Sequence, residues 1–283
     1  DQPRGTAPSQ GCVQFDVAQF VGWDQRRFAA PAHHDFSTFL DGGPALEASF
    51  GRWAAGAAPA KKVGTVARTA GKKVYLIDKP DAPQSTIVAA HVSETPGQPE
   101  DLAMEPVMQN FGGMATSRLN RNLRLDKHWS YGTSGALTNP RGQRAFTVFA
   151  PVQTDKTKES MLEVAKEIRG VAGERPLAGE EYTSIMRNMT SRLAGRFATL
   201  SALELATVTS LNWGLPDNYW ANYAGNVRGL TEPQLAAAAR KFVRPDEVVW
   251  LVIGDLRKIE PGIRELGFGE VIRLNPDGTP AAR

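Results

Sequence analysis

The sequence predicts an α+β fold: a mostly antiparallel sheet with helices packed on one face. Two observations lead there. Short apolar strand patterns are separated by helical runs, and a hairpin pattern sits in the middle of the chain.

The elements follow in order. Residues 1–45 hold apolar side chains, Phe15, Phe20, Trp23, Phe28, Phe36 and Phe39 among them, but no sustained period, and this segment stays unassigned. "PALEASFGRW" (44–53) reads as a short helix with Leu46 and Phe50 on one face, and "AAGAAPAKKVG" after it reads as a linker. "KVYLID" (73–78) is a strand stopped at Lys79-Pro80. "STIVAAHV" (85–92) is a second, with Val88, Ala90 and Val92 on one side. "PEDLAMEPVMQNF" (99–111) sets Met104, Val107, Met108 and Phe111 at helical spacing. Pro106 predicts a kink in that helix, and Gly112-Gly113 its end.

Residues 115–125 read as another helix. "SYGTSGALT" and "QRAFTVFAPV" form a hairpin pattern around Asn139-Pro140-Arg141-Gly142, with Phe146, Val148, Ala150 and Val152 on one face. In "DKTKESMLEVAKEIRGV", Met161, Val164, Ala165, Ile168 and Ala172 line an apolar stripe. The stretch 180–212 is helical with a break near 195–199. Thr231 and Gln234 form a capping box that opens a helix to about Val243. "EVVWLVIGD" (247–255) is a continuous apolar strand, expected to be buried on both faces.

Composition excludes several classes. An apolar fraction of 41% allows a normal core. The formal charge is only +3, and no block of five like charges occurs, which gives no case for nucleic acid or an acidic membrane. Cys12 is the sole cysteine, so there is no internal disulfide and no cysteine-based zinc site. No run of 18 apolar residues spans a bilayer. The N-terminus has neither an initiator Met nor a charged-then-apolar leader, as expected of a processed or partial chain.

The chain also lacks the common catalytic motifs. His-x-x-Glu-His, His-Glu-x-x-His, Gly-x-Ser-x-Gly and a Walker loop are all absent. The four histidines are His33, His34, His91 and His128. Adjacent His33 and His34 would point about 100° apart on a helix, too far to chelate one ion as an i, i+4 pair does.

"SRLNRNLRLDKHWSYG" (117–132) is the densest functional signal. Arg118, Arg121 and Arg124 lie three apart, opposite Leu119 and Leu123. That spacing raises a nucleic-acid surface beside the plainer reading of a solvated helix with Asp126 nearby to pair with a base. If the helix ends near Lys127 and a strand starts near Ser130, Arg124 and Tyr131 could reach the same end of the sheet.

These residues carry a resemblance. "VYLIDKPDAPQSTIVAAHV", "FGGMATSRLNRNLRLDKHWSYG", "GLPDNYWANY", "TEPQLAAAARKFVRPDEVVWLVIGD" and "LGFGEVIRLNPDG" together resemble the M16 (insulinase, pitrilysin-like) zinc metallopeptidases, over about residues 46–278. The likeness is to the zinc-free C-terminal half of the long bacterial members. It implies that residues 46–72 are the tail of a preceding unit plus a linker, and that 73–283 form an M16 C-terminal-type domain. It implies that zinc, held by His-x-x-Glu-His, sits on a partner half, fused upstream or on a separate chain, and that this segment binds no cofactor. It implies a peptide substrate and favours a periplasmic location. It also implies that an Arg and a Tyr seven residues apart reach the substrate, and these map onto Arg124 and Tyr131.

A guanidinium and a phenol suit that task, since both donate to the oxyanion of a tetrahedral intermediate. In this reading the chain is inert alone. A structural or partner-binding M16-like subunit is the alternative, and nucleic-acid binding a distant third. Two features depart from the family pattern: Leu125 stands where an acidic residue usually follows the Arg, and residues 1–45 match nothing in it.

Overall fold

A computed structural model describes residues 47–53, 64–68, 72–140 and 142–281. The expectations for residues 1–45, for Leu46, and for Cys12, His33 and His34 lie outside them, as does most of the linker. The chain divides into two units between Gly64 and Thr65. In the first, residues 47–50 form a helical turn, and Phe50 meets Trp53 edge-on at 5.0 Å.

The second unit carries a six-stranded sheet. Its strands are β1 (Lys73–Asp78), β2 (Gln84–Val92), β3 (Ser134–Leu137), β4 (Ala145–Gln153), β5 (Val249–Gly254) and β6 (Glu270–Leu274). Their order is β3-β4-β2-β5-β1-β6. The β3–β4, β4–β2 and β2–β5 pairs are antiparallel, and β1 runs parallel to both β5 and β6. The sheet is thus mostly antiparallel with a parallel edge, and helices cover one face.

The helices are α1 (Asp101–Met108), α2 (Arg118–Asn120), α3 (Thr157–Arg169), α4 (Gly179–Ser191), α5 (Leu200–Trp213), α6 (Tyr219–Arg228), α7 (Glu232–Phe242) and α8 (Leu256–Glu265). Three of them run on into wider, π-type turns: α1 through Gln109–Gly113, α2 through Arg121–Asp126 and α3 through Gly170–Glu174. Pro106 lies inside α1, and the helix widens three residues later rather than ending there. The predicted break between α4 and α5 is a 3₁₀ turn at Ala194–Phe197. At α7 the N–H of Thr231 donates to Gln234 Oε1 at 2.8 Å, closing the capping box.

The core lies between the helices and one face of the sheet. Val74, Leu76, Ile87, Phe146, Val148 and Val252 meet Met104, Phe111, Met161, Val164, Leu235 and Phe242 there, each almost wholly buried. In β2 the residues Val88, Ala90 and Val92 share a face, as expected, and the core takes the other one, with Ser85, Ile87, Ala89 and His91. Two expectations need correction. β5 is not buried on both faces: Trp250, Val252 and Gly254 are buried, while Val249, Leu251 and Ile253 alternate with them half-exposed. In the turn after α3, Val171 rather than Ala172 is buried, because the wider turn shifts the helical phase.

Candidate functional site

The segment from Ser117 to Thr133 is held by buried polar groups rather than by apolar packing alone. Leu119 and Leu123 are fully buried on the inner side of α2 and its extension. Arg118, also buried, points the same way. Its guanidinium pairs with Glu181 of α4 and donates to the carbonyls of Arg175 and Pro176. Burial raises the Glu181 pKa, but the hydrogen bonds and charge of Arg118 outweigh it, and the net shift is downward. One of the three evenly spaced arginines is therefore an internal cross-link, which removes the continuous basic face a nucleic-acid helix needs.

Asn120 ties the start of the segment to its end. Its Nδ2 donates to the Met114 and Thr133 carbonyls, each at 2.9 Å, and its Oδ1 accepts from the Thr133 N–H at 2.8 Å. Asn122 reaches α3, donating to Glu163 at 2.8 Å and Glu167 at 2.9 Å. The backbone widens at this point: the Lys127 N–H donates to the Asn122 carbonyl five residues back, at 3.2 Å.

The chain then reverses at His128, whose φ of 57° lies in the left-handed region. This brings the N–H groups of Trp129 and Ser130 onto the Leu123 carbonyl, at 2.9 and 3.2 Å. The far side of the loop is fastened to β4. The Gln153 N–H donates to the Trp129 carbonyl at 2.9 Å, and Ser130 Oγ donates to the Pro151 carbonyl at 2.5 Å. Lys127 lies 5.5 Å from the Trp129 ring centroid and 3.5 Å from Glu163.

Arg124 follows one end of the Leu123–Ser130 clamp, and Tyr131 follows the other. Both are exposed, Tyr131 at 89%. Neither side chain makes a hydrogen bond or ion pair to another described residue. Leu125, in the place of an acidic neighbour, is exposed beside Arg124 and offers it no partner. The result is two free donors, a guanidinium and a phenol, on a loop whose backbone is bonded at both ends.

The helical stretch ends at Gly113, as expected, and Gly112 has a further task. A Cβ on Gly112 would lie 2.2 Å from the Gly135 nitrogen, and one on Gly135 would lie 2.7 Å from the Phe111 ring. The pair lets the turn after α1 press its backbone against β3, next to the loop that carries Tyr131. Neither Gly112 nor Gly113 has a positive φ.

Among the described residues no group of three His, Cys, Asp or Glu side chains is placed to hold a metal ion. No helix among them is long and apolar enough to cross a membrane. A cavity of about 310 Å³ lies at the carboxyl ends of β1 and β6. Its two arginines are already engaged, Arg257 by Asp255 and Asp81, and Arg273 by Glu260.

The family resemblance singled out Arg124 and Tyr131 but not the residues that hold their loop, Asn120 and Ser130. The one available signal was a polar residue, Asn120, directly beside the buried Leu119/Leu123 stripe.

Residues 44–188, just over half of the chain, match the family model described as the peptidase M16 inactive domain. No curated protein matches. Among solved structures, the peptidase M16 inactive domain from Pseudomonas fluorescens is 19% identical with a TM-score of 0.58, over 65% of this chain and 44% of that one. A protease from Helicobacter pylori is 11% identical with a TM-score of 0.66, over 78% and 53%. The periplasmic protease PqqL from Escherichia coli is 13% identical with a TM-score of 0.59, over 76% and 24%. The match thus spans about half or less of the length of each of these proteins.

Proposed function

Because the chain belongs to the peptidase M16 family, through that family's inactive domain, we propose that it is the metal-free half of an M16 metallopeptidase. In this reading Arg124 and Tyr131 complete a peptide-hydrolysing site whose zinc is held by another segment or chain. Activation of water is the chemistry the zinc half supplies. This chain supplies two donors aimed at the peptide carbonyl as negative charge develops on its oxygen. Arg124 stays protonated at any working pH. Tyr131 adds a neutral donor that needs no counter-ion.

The observation that carries the proposal is the backbone clamp from Leu123 to Trp129 and Ser130, which leaves Arg124 and Tyr131 exposed and unpaired on an anchored loop. Surface arginines and tyrosines with no task beyond solubility do not need that framing. A backbone fixed in advance leaves only the two side chains to be ordered during the reaction, which lowers the cost of aiming their donors.

The test is reconstitution with a zinc-bearing M16 half and cleavage of a quenched fluorescent peptide. The chain alone is expected to cleave nothing. Arg124→Ala and Tyr131→Phe are each expected to lower kcat/KM on the order of 10²–10³. Unchanged cleavage by both variants would overturn the assignment. A co-purifying partner without zinc ligands would instead point to a structural subunit.

A further inference from the structure

The clamp at Leu123 rests on a change of helical register. In an α-helical turn the N–H of Lys127 would donate to the carbonyl of Leu123, four residues back. Here it donates to the carbonyl of Asn122, five residues back, at 3.2 Å. That leaves the Leu123 carbonyl to Trp129 and Ser130, whose N–H groups occupy it at 2.9 and 3.2 Å. A carbonyl oxygen has two lone pairs, so it cannot hold these two bonds and a third from Lys127. The wide turn and the clamp therefore stand or fall together.

The same two residues, Asn122 and Lys127, meet again through their side chains. Asn122 Nδ2 donates to Glu163 Oε2 at 2.8 Å, and Lys127 Nζ lies 3.5 Å from Glu163 Oε1. One carboxylate on α3 thus spans the donor and the acceptor of the widening bond, with Arg124 between them in the chain. The Asn122 amide also donates to Glu167 Oε1 at 2.9 Å, and Glu167 is buried and paired with Arg175. Asn122 Oδ1 is buried without a partner among the described residues. Turning the amide over would set that oxygen against two carboxylates, so the acids fix its orientation. Burial pushes the Glu163 pKa up, but the hydrogen bond from Asn122 and the charges of Lys127 and Lys166 outweigh it, and the net shift is downward.

We infer that Glu163 is a positioning residue for Arg124 and Tyr131, holding the turn in its wide register through Asn122 and Lys127. This rests on the reading of Arg124 and Tyr131 as substrate-facing. Without the carboxylate the turn is free to tighten, the Lys127 N–H competes for the Leu123 carbonyl, and the two donors lose their common frame.

The experiment compares Glu163→Ala and Glu163→Gln in the full chain. NMR reads amide hydrogen exchange, urea midpoints record global stability, and peptide cleavage is measured after reconstitution with a zinc-bearing M16 half. In Glu163→Ala, exchange is expected to rise about tenfold at Trp129 and Ser130, beyond any change that the urea midpoint explains. The kcat/KM is expected to fall by a similar factor, about the scale of one hydrogen bond to a charged group. Glu163→Gln keeps an oxygen for Asn122 and should retain more than the alanine variant in both readouts. In an Arg124→Ala background the same change should cost less, since part of what Glu163 positions is gone.

Unchanged exchange at Trp129 and Ser130 overturns the inference, whatever cleavage does. An equal fall in kcat/KM in both backgrounds overturns it too, because a general loss of structure produces that pattern. If exchange rises as expected while Arg124→Ala and Tyr131→Phe themselves leave cleavage intact, the substrate-facing reading has failed rather than the hold on the turn, and the positioning role falls with it.

Discussion

Leu123 and Ser130 lie seven residues apart, yet the N–H of Ser130 donates to the carbonyl of Leu123 at 3.2 Å, beside a shorter bond to the same oxygen from Trp129. The next residues along the chain are Arg124 and Tyr131. A seven-residue spacing is thereby converted into proximity by the backbone itself. Side chains at 124 and 131 can change without loosening the loop, because neither takes part in the bonds that shape it.

The loop depends on the left-handed turn at His128, with its φ of 57°. A β-branched residue there costs roughly 1–2 kcal/mol, whereas glycine adopts the conformation freely. His128→Val is expected to lower stability by that amount and His128→Gly to stay close to the wild type, as read from urea midpoints at constant m-value. Equal midpoints for the two variants would mean that the turn is not held in this conformation.

Asn120 is the side chain that joins the two ends of the segment. Asn120→Leu fills the space but leaves the Thr133 N–H and two carbonyls without their partner. A loss of about 1–3 kcal/mol is expected for such buried groups. Amide hydrogen exchange should rise most at Thr133 and its neighbours in β3, and a uniform rise across the sheet would count against a local role.

Gly112 and Gly135 make a backbone-to-backbone contact, and neither partner can rotate away as a side-chain tip could. Gly112→Ala is expected to destabilise the domain by about 1–3 kcal/mol through overpacking. At Gly113 the nearest atoms to a Cβ lie at 3.2–3.3 Å and include the flexible Gln109 side chain, so Gly113→Ala should cost less. Denaturant midpoints of the two alanine variants rank them directly.

The parts of this architecture that were legible in the sequence are those written in side-chain period. β1 appears where "KVYLID" places it, and the stripe of α3 is buried at Met161, Val164, Ala165 and Ile168. What periodicity left out has specific causes. Helix α8 contains Pro261 and Gly262, residue types that disfavour a helix interior. It forms because Asp255 caps it, accepting from the Arg257 N–H at 3.2 Å, and because Ile259 and Ile263 are buried. β5 reads as doubly buried since Val, Leu and Ile suit a half-exposed face as well as an interior one. At the candidate site, Arg124 and Tyr131 stood out through family resemblance and not through spacing alone. The clamp behind them leaves no trace in the sequence, because a main-chain carbonyl accepts from any residue's N–H.

His91 gives the domain a distinct acid response. It is buried in β2 and stacked on Phe146 at 4.9 Å between centroids. Its Nε2 accepts from the Arg244 N–H at 3.1 Å, which puts the proton on Nδ1, facing the Val92 carbonyl at 3.2 Å. Burial, opposed by the Val92 carbonyl and aided by the Arg244 charge, holds its pKa below the ordinary 6.5; Glu247 pulls it up and Arg68 pushes it down more weakly. As pH falls through 6.5 the unfolded chain takes up a proton at this imidazole before the folded one does, so stability falls with it. The depressed carboxylates act lower: Asp255, held down to about 2 chiefly by its hydrogen bonds from Arg257, withdraws its contribution only below its ordinary 3.8. The interval from pH 6.5 to 5 therefore belongs mainly to His91 among these groups. Urea midpoints of the wild type should fall across it, and His91→Gln, which cannot titrate, should flatten the slope even if it lowers stability at every pH. An unchanged slope in that variant would assign the acid response to another group.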